Sequence, residues 1–106
     1  MILEVVIMDV RPGQEAGFER DFAVALAWIG GAAGYVSHEL HRCLETSNRY
    51  ALLVRWQTLE AHTKGFRESP EYLNWKKILH PYYDPFPIVE HYAMVNDSGP
   101  RAGGLK

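Results

Sequence analysis

Apolar residues alternate along residues 50–56, a segment rich in the β-branched, aromatic and leucine side chains that suit a buried strand. One face of this strand would carry the side chains of Tyr50, Leu52, Val54 and Trp56. The opposite face would carry Ala51, Leu53 and Arg55, and the first two of these are also apolar. We therefore predict a strand that needs cover on both of its faces.

The same reasoning predicts further strands and helices on either side of this segment. They are strands over residues 2–10, 35–45 and 88–95, and helices over residues 14–29, 58–65 and 70–79. The last helix has the most specific start signal, because Ser69 can cap it and Pro70 suits its first position. The turn at residues 46–48 joins the second strand to residues 50–56 as a hairpin.

The order strand, helix, strand, strand, broken helix, strand is the split βαβ arrangement of an α+β, ferredoxin-like fold. Right-handed crossovers place both helices on one face of the sheet. We expect the other face to carry Val6, Met8, Ala51 and Leu53. A bare apolar face of this size implies a partner, and a second copy is the economical one. We therefore predict a homodimer in which two sheets close into a dimeric α/β barrel.

Length and composition limit the class of protein. With 106 residues, 47% of them hydrophobic, the chain predicts one globular domain over residues 1–95 and a mobile tail over residues 96–106. A net charge of -2 without a basic cluster argues against nucleic acid as a partner. No apolar run approaches a membrane span, strand-like residues begin at Ile2, and Cys43 is the single cysteine. We expect a soluble, cytoplasmic protein.

Several short segments resemble the antibiotic biosynthesis monooxygenase (ABM) family, over about residues 1–95. They are Arg11-Pro12-Gly13, Gly34 before the second strand, Tyr50–Trp56 running into Thr58-Leu59-Glu60-Ala61, Ser69-Pro70, and Pro87–Tyr92. The resemblance implies a dimeric α/β barrel with a pocket between helices and sheet in each subunit. It also implies oxidation of phenols or quinols by molecular oxygen without a bound cofactor, or heme degradation, although many relatives have no assigned activity.

Oxygenation without a cofactor needs a dry pocket and a base that ionises an acidic phenol. We predict His62 as that catalytic base, since histidine suits proton transfer near neutral pH; an exposed helical histidine is the commoner alternative. The predicted substrate-binding residues are Trp56, Phe66, Tyr72, Trp75 and His38. Core packing explains the spacing of the aromatic residues equally well.

No metal site is predicted, because His38 and His41 point to opposite faces of a strand. We interpret His80 and His91 as ordinary helix-end and strand residues, with a place in the pocket lining as the less favoured alternative. Heme-degrading relatives use an Asn on the first strand, which this chain lacks, so heme degradation fits less well. The leading hypothesis is a cofactor-independent monooxygenase acting on a small planar phenol or quinol. The alternative is a non-catalytic dimeric barrel that binds a small aromatic ligand or serves as a structural module.

Overall fold

A four-stranded sheet forms one layer of the protein, whose computed structural model describes residues 1–97. Its strands are β1 (Ile2–Asp9), β2 (Tyr35–Arg42), β3 (Arg49–Trp56) and β4 (Val89–Ala93). They lie in the order β2-β3-β1-β4, and all neighbours are antiparallel. The predicted α+β, ferredoxin-like arrangement is confirmed, although β2 and β4 are shorter than predicted. Most of the predicted tail, residues 98–106, lies outside the described residues.

Helices form the second layer. They are α1 (Glu15–Ile29), a π-helix (Ala61–Phe66), α2 (Pro70–Leu79) and a 3₁₀ turn (His80–Tyr82). The predicted start of α2 is confirmed, since Ser69 Oγ accepts a hydrogen bond from the Tyr72 amide at 3.2 Å. Within residues 1–97, no helix is long and apolar enough to cross a membrane.

The π-helix is held close to the start of β2 by Gly34. This glycine has φ +85°, and a Cβ atom there would lie 2.5 Å from the Cβ of Ala61. The Gln57 amide also donates to the Gly34 carbonyl at 2.8 Å. A hydrogen bond between residues five apart shows the wide turn of the π-helix. The Arg67 amide donates to the His62 carbonyl at 3.0 Å. The close approach fixes the residue after Ala61, which is His62, above the sheet.

The core lies between the helices and one face of the sheet. The sheet contributes Val6, Met8, Tyr50, Leu52, Val54 and Trp56. The helices contribute Phe18, Phe22, Ala25, Ile29, Phe66, Trp75 and Leu79. Aromatic rings dominate this layer, and several pack edge to face, as Phe22 and Trp75 do with centroids 5.7 Å apart.

The prediction that Val6 and Met8 lie on the bare face is wrong. In the register of β1 with β3, Val6 pairs with Leu52, so both side chains point toward the helices. Val6 is 5% exposed and Met8 is fully buried. The alternation could not decide this, because both faces of β1 are mostly apolar.

The face away from the helices carries apolar side chains that a single chain leaves partly exposed. They are Leu3, Val5, Ile7, Ala51 and Leu53. Ile7 is the most exposed of the five, at 49%. The positions of Ala51 and Leu53 on this outer face are as predicted.

A register shift in β2 changes which of its side chains face the helices. The pairing with β3 is irregular between Tyr35 and Ser37, so Tyr35 pairs with Trp56 while His38 pairs with Val54. Tyr35 and His38 therefore share the inner face, and their side chains form a 2.6 Å hydrogen bond. The simple alternation predicted Val36 beside His38, but Val36 is 41% exposed.

Replacing Trp56 tests the importance of this core. Trp56 is fully buried at the end of β3, so Trp56→Ala should lower the free energy of unfolding by about 3 to 5 kcal/mol. Urea denaturation measures this change. The control is Leu73→Ala, since Leu73 is 64% exposed on α2 and its loss should cost less than about 0.5 kcal/mol. A loss below about 1 kcal/mol for Trp56→Ala would contradict the packing described here.

Candidate active site

A cavity of about 430 Å³ opens between the helices and the inner face of the sheet. Its apolar wall consists of Val6, Met8, Ile29, Leu52, Phe66, Tyr72, Trp75, Tyr83, Phe86, Pro87 and Val89. Its polar lining consists of Glu4, His62, Arg67 and His80. The cavity is therefore mostly aromatic and aliphatic, with a few polar groups that can orient a ligand.

Glu4, His62 and His91 form a polar cluster at one side of the cavity. Glu4 of β1 and His91 of β4 are direct cross-strand neighbours. His62 of the π-helix reaches down to both, with its Nδ1 2.8 Å from His91 Nε2 and its Nε2 3.5 Å from Glu4 Oε2. The second distance exceeds that of an ordinary hydrogen bond, so His62 and Glu4 are close neighbours without a direct hydrogen bond.

Trp56 lies behind this cluster and holds it in place. Its indole stacks on the imidazole of His62 with centroids 5.1 Å apart and planes inclined at 24°. Its Nε1–H also donates to Glu4 Oε1 at 2.9 Å. One buried side chain thus fixes the two polar groups that face the cavity.

Burial pushes the two cavity-facing groups toward their neutral forms. It lowers the pKa of His62 to about 3, with further contributions from the positive charge of Arg67 and from His91. Burial also raises the pKa of Glu4, opposed by the hydrogen bond from Trp56 and the charge of Arg67. His62 is therefore a neutral imidazole near pH 7, and its contact with Glu4 is not an ion pair.

The comparisons with known proteins agree with this architecture. A model of the family described as antibiotic biosynthesis monooxygenase matches residues 1–78. The chain belongs to this family. It is 47% identical over 95 residues to the uncharacterized protein YczJ of Bacillus subtilis (strain 168), covering 90% of this chain and 100% of that protein.

Solved structures show the same ABM fold. A family member from Bordetella bronchiseptica superimposes with a TM-score of 0.85 at 35% identity, covering 90% of this chain and 97% of that chain. SnoaB, a cofactor-independent oxygenase from Streptomyces nogalater, gives a TM-score of 0.74 at 24% identity, with coverage of 94% and 97%. At this identity the likeness to SnoaB concerns the fold alone.

The structure brings together some of the predicted site residues of this ABM protein and separates others. His62, Phe66, Tyr72 and Trp75 line the cavity. Within residues 1–97, Trp56 and His38 do not line the cavity. Trp56 lies behind His62 and supports it. His38 instead bonds to Tyr35 and packs near Phe22, with centroids 6.0 Å apart. The alternative that His62 is an exposed helical histidine is wrong, because it is only 3% exposed.

Sequence reasoning missed Glu4 and Arg67 of the site and did not favour a place in it for His80 and His91. Glu4, Arg67 and His80 line the cavity, and His91 bonds to His62. Glu4 had a detectable signal, since it is the one charged residue within the apolar run of residues 2–8. Across residues 1–97, no group of three or more His, Cys, Asp or Glu side chains has the geometry to hold a metal ion.

The lowered pKa of His62 should make stability depend on pH. As the pH falls, an unfolded chain protonates His62 near the ordinary histidine pKa of 6.5, whereas the folded chain resists protonation until about pH 3. The stabilisation that results from the lowered pKa of His62 is thus complete above pH 6.5 and is lost as the pH falls from 6.5 toward 3. Between about pH 7.5 and about pH 5, wild type should lose about 2 kcal/mol of unfolding free energy more than His62→Gln does. Urea denaturation at both pH values measures the two losses. Equal losses of unfolding free energy in wild type and His62→Gln would contradict a buried, neutral His62.

Proposed function

We propose that this ABM protein is a cofactor-independent monooxygenase that oxidises a small planar phenol or quinol with molecular oxygen. The observation that carries the proposal is the buried imidazole of His62 at the wall of an aromatic cavity. A neutral imidazole can accept the proton of an acidic phenol. The surrounding rings provide flat surfaces for an aromatic substrate and keep water away from the reaction.

Aromatic rings pack closely against one another in the wall of the cavity. Phe66 lies edge to face with both Tyr72 and Trp75, at centroid distances of 5.4 and 5.9 Å. These contacts restrict the rotation of Phe66 and give the cavity a fixed shape. Arg67 adds a positive charge at the lining, which favours an anionic phenolate over the neutral phenol.

The proposed reaction balances with the substrate as the only electron donor. The hydroxyl proton moves to His62 Nε2, and the electron-rich ring carbon of the phenolate forms a bond to oxygen. The resulting peroxide takes up a proton, and loss of water leaves a carbonyl at that carbon. The phenol thus loses four electrons, and one oxygen atom enters the quinone while the other leaves as water.

Removing the base tests the proposed chemistry. His62→Ala should lower oxygen uptake with a reactive hydroquinone by about a hundredfold, the usual contribution of a positioned base. An oxygen electrode and a panel of hydroquinones provide the measurement. The control is Lys77→Ala, which removes an exposed charge on α2 and should leave the rate unchanged. Undiminished turnover by His62→Ala would remove His62 from the mechanism, and ligand binding without oxygen uptake by wild type would favour a non-catalytic binding module.

We also propose that two copies pair through their outer sheet faces as a dimeric α/β barrel. The support is the partly exposed apolar set Leu3, Val5, Ile7, Ala51 and Leu53. Obligate interfaces of this kind bury about 2,000 Å² or more and resemble a core cut in half. A second copy would cover this face while leaving the cavity on the inner face of each sheet.

Sedimentation tests this assembly. Wild type at low micromolar concentration should sediment at twice the chain mass of 12.1 kDa. Leu53→Asp places a charge on the outer face and should cause unfolding or aggregation, whereas Leu73→Asp changes an exposed leucine of α2 and should remain a folded dimer. Val5→Asp should repeat the effect of Leu53→Asp. A folded wild-type species at the mass of one chain would contradict the barrel.

A further inference from the structure

Resting on the proposed function, we propose that His91 is a positioning residue that acts through His62, carrying the substrate's proton from the cavity to the outside of the edge strand β4. Among the described residues, His91 does not belong to the cavity lining, whereas His62 does. His91 is partly exposed, whereas His62 is buried. The two imidazoles therefore connect the cavity with the solvent side of the protein.

The contact between the two rings has the geometry for proton transfer. His62 Nδ1 and His91 Nε2 are 2.8 Å apart, and the ring centroids are 5.0 Å apart with planes inclined at 49°. This distance matches a short N–H···N hydrogen bond, in which one ring donates and the other accepts. The pairing of Glu4 with His91 across β1 and β4 fixes the backbone position of His91.

The proton balance follows from the four ring nitrogens. At the start, His62 Nδ1–H donates to His91 Nε2, and His62 Nε2 faces the cavity with a free lone pair. As a proton arrives at His62 Nε2, the proton on Nδ1 moves to His91 Nε2 in the same step. His91 then releases the proton on its own Nδ1 to solvent. When the peroxide intermediate takes up a proton, the same steps run backwards and restore both tautomers.

A second histidine solves a problem that burial creates for the first. Burial, Arg67 and His91 all disfavour a positive charge on His62, so a lone His62 would be a weak base. Moving the charge to His91 places it in a more solvated position, although burial and Arg67 also lower the pKa of His91. The groups that face this pair are Glu4 from β1, Arg67 after the π-helix and Trp56 from β3.

The test measures proton release when 4-nitrophenol binds to the full chain, in weak buffer with a pH indicator and a stopped-flow instrument. Wild type should ionise the bound phenol and release its proton quickly. His91→Gln keeps a side chain able to form a hydrogen bond to His62 but cannot carry a proton, so release should slow at least about tenfold. His91→Ala should be slow as well, and added imidazole should restore its rate. If His91 only supports His62 by a hydrogen bond, His91→Gln will release protons at the wild-type rate, which would overturn the relay.

A second test uses only wild type, so its result does not depend on whether the variants fold. The rate of proton release, measured in mixtures of light and heavy water, should depend non-linearly on the deuterium fraction, because more than one proton moves in the same step. A straight line, or no proton release at saturating 4-nitrophenol, would overturn the relay. A failure of imidazole to accelerate His91→Ala would do the same.

The nitrophenol measurement needs no oxygen, so it separates the relay from the proposed oxygenation. Proton release that depends on His91, without oxygen uptake from any hydroquinone, would support the relay and contradict the monooxygenase proposal. Oxygen uptake that His91→Gln leaves unchanged would support the monooxygenase and contradict the relay.

Discussion

The hydrogen bond from Trp56 to Glu4 is the interaction on which the candidate site depends. A carboxyl group on the core face of a sheet loses its hydration, and this loss must be offset by hydrogen bonds. Trp56 donates one at 2.9 Å, and both side chains are buried. The same indole stacks on His62, so the residue that satisfies Glu4 also orients the imidazole beside it. The large aromatic donor in the core therefore supports two of the polar groups beside the cavity.

The local backbone explains why His62 reaches this point. The left-handed conformation of Gly34 and its lack of a Cβ atom let the chain at Ala61 approach β2 closely. The Thr58 hydroxyl accepts a hydrogen bond from the Ala61 amide at 3.1 Å, and the Thr63 hydroxyl donates to the Leu59 carbonyl at 3.1 Å. These contacts occupy backbone groups at the start of the π-helix. The helix consequently begins directly above the end of β3, where Trp56 lies.

Sequence patterns predicted the elements well and the polar side of the site poorly. The cap at Ser69 and the alternation in β3 are local signals, so they can be interpreted without knowing the fold. The orientation of β1 is not local, because its two faces are similarly apolar and only pairing with Leu52 shows that Val6 points inward. The shift in β2 that turns Tyr35 inward likewise depends on pairing with β3. Glu4 and His91 meet because β1 and β4 are neighbours, a contact between residues far apart in sequence.

The two faces of β4 carry different side chains. Its inner side places His91 against His62, while its other side carries Glu90 and Tyr92, whose hydroxyl donates to the Glu90 carboxylate at 3.0 Å. As an edge strand, β4 pairs only with β1 within the described sheet, so His91 is less enclosed than a residue of a central strand would be. A histidine at the same depth on β3 would be covered on both sides and would share the burial of His62. The edge position therefore gives the second imidazole access to solvent while the first remains buried at the cavity wall.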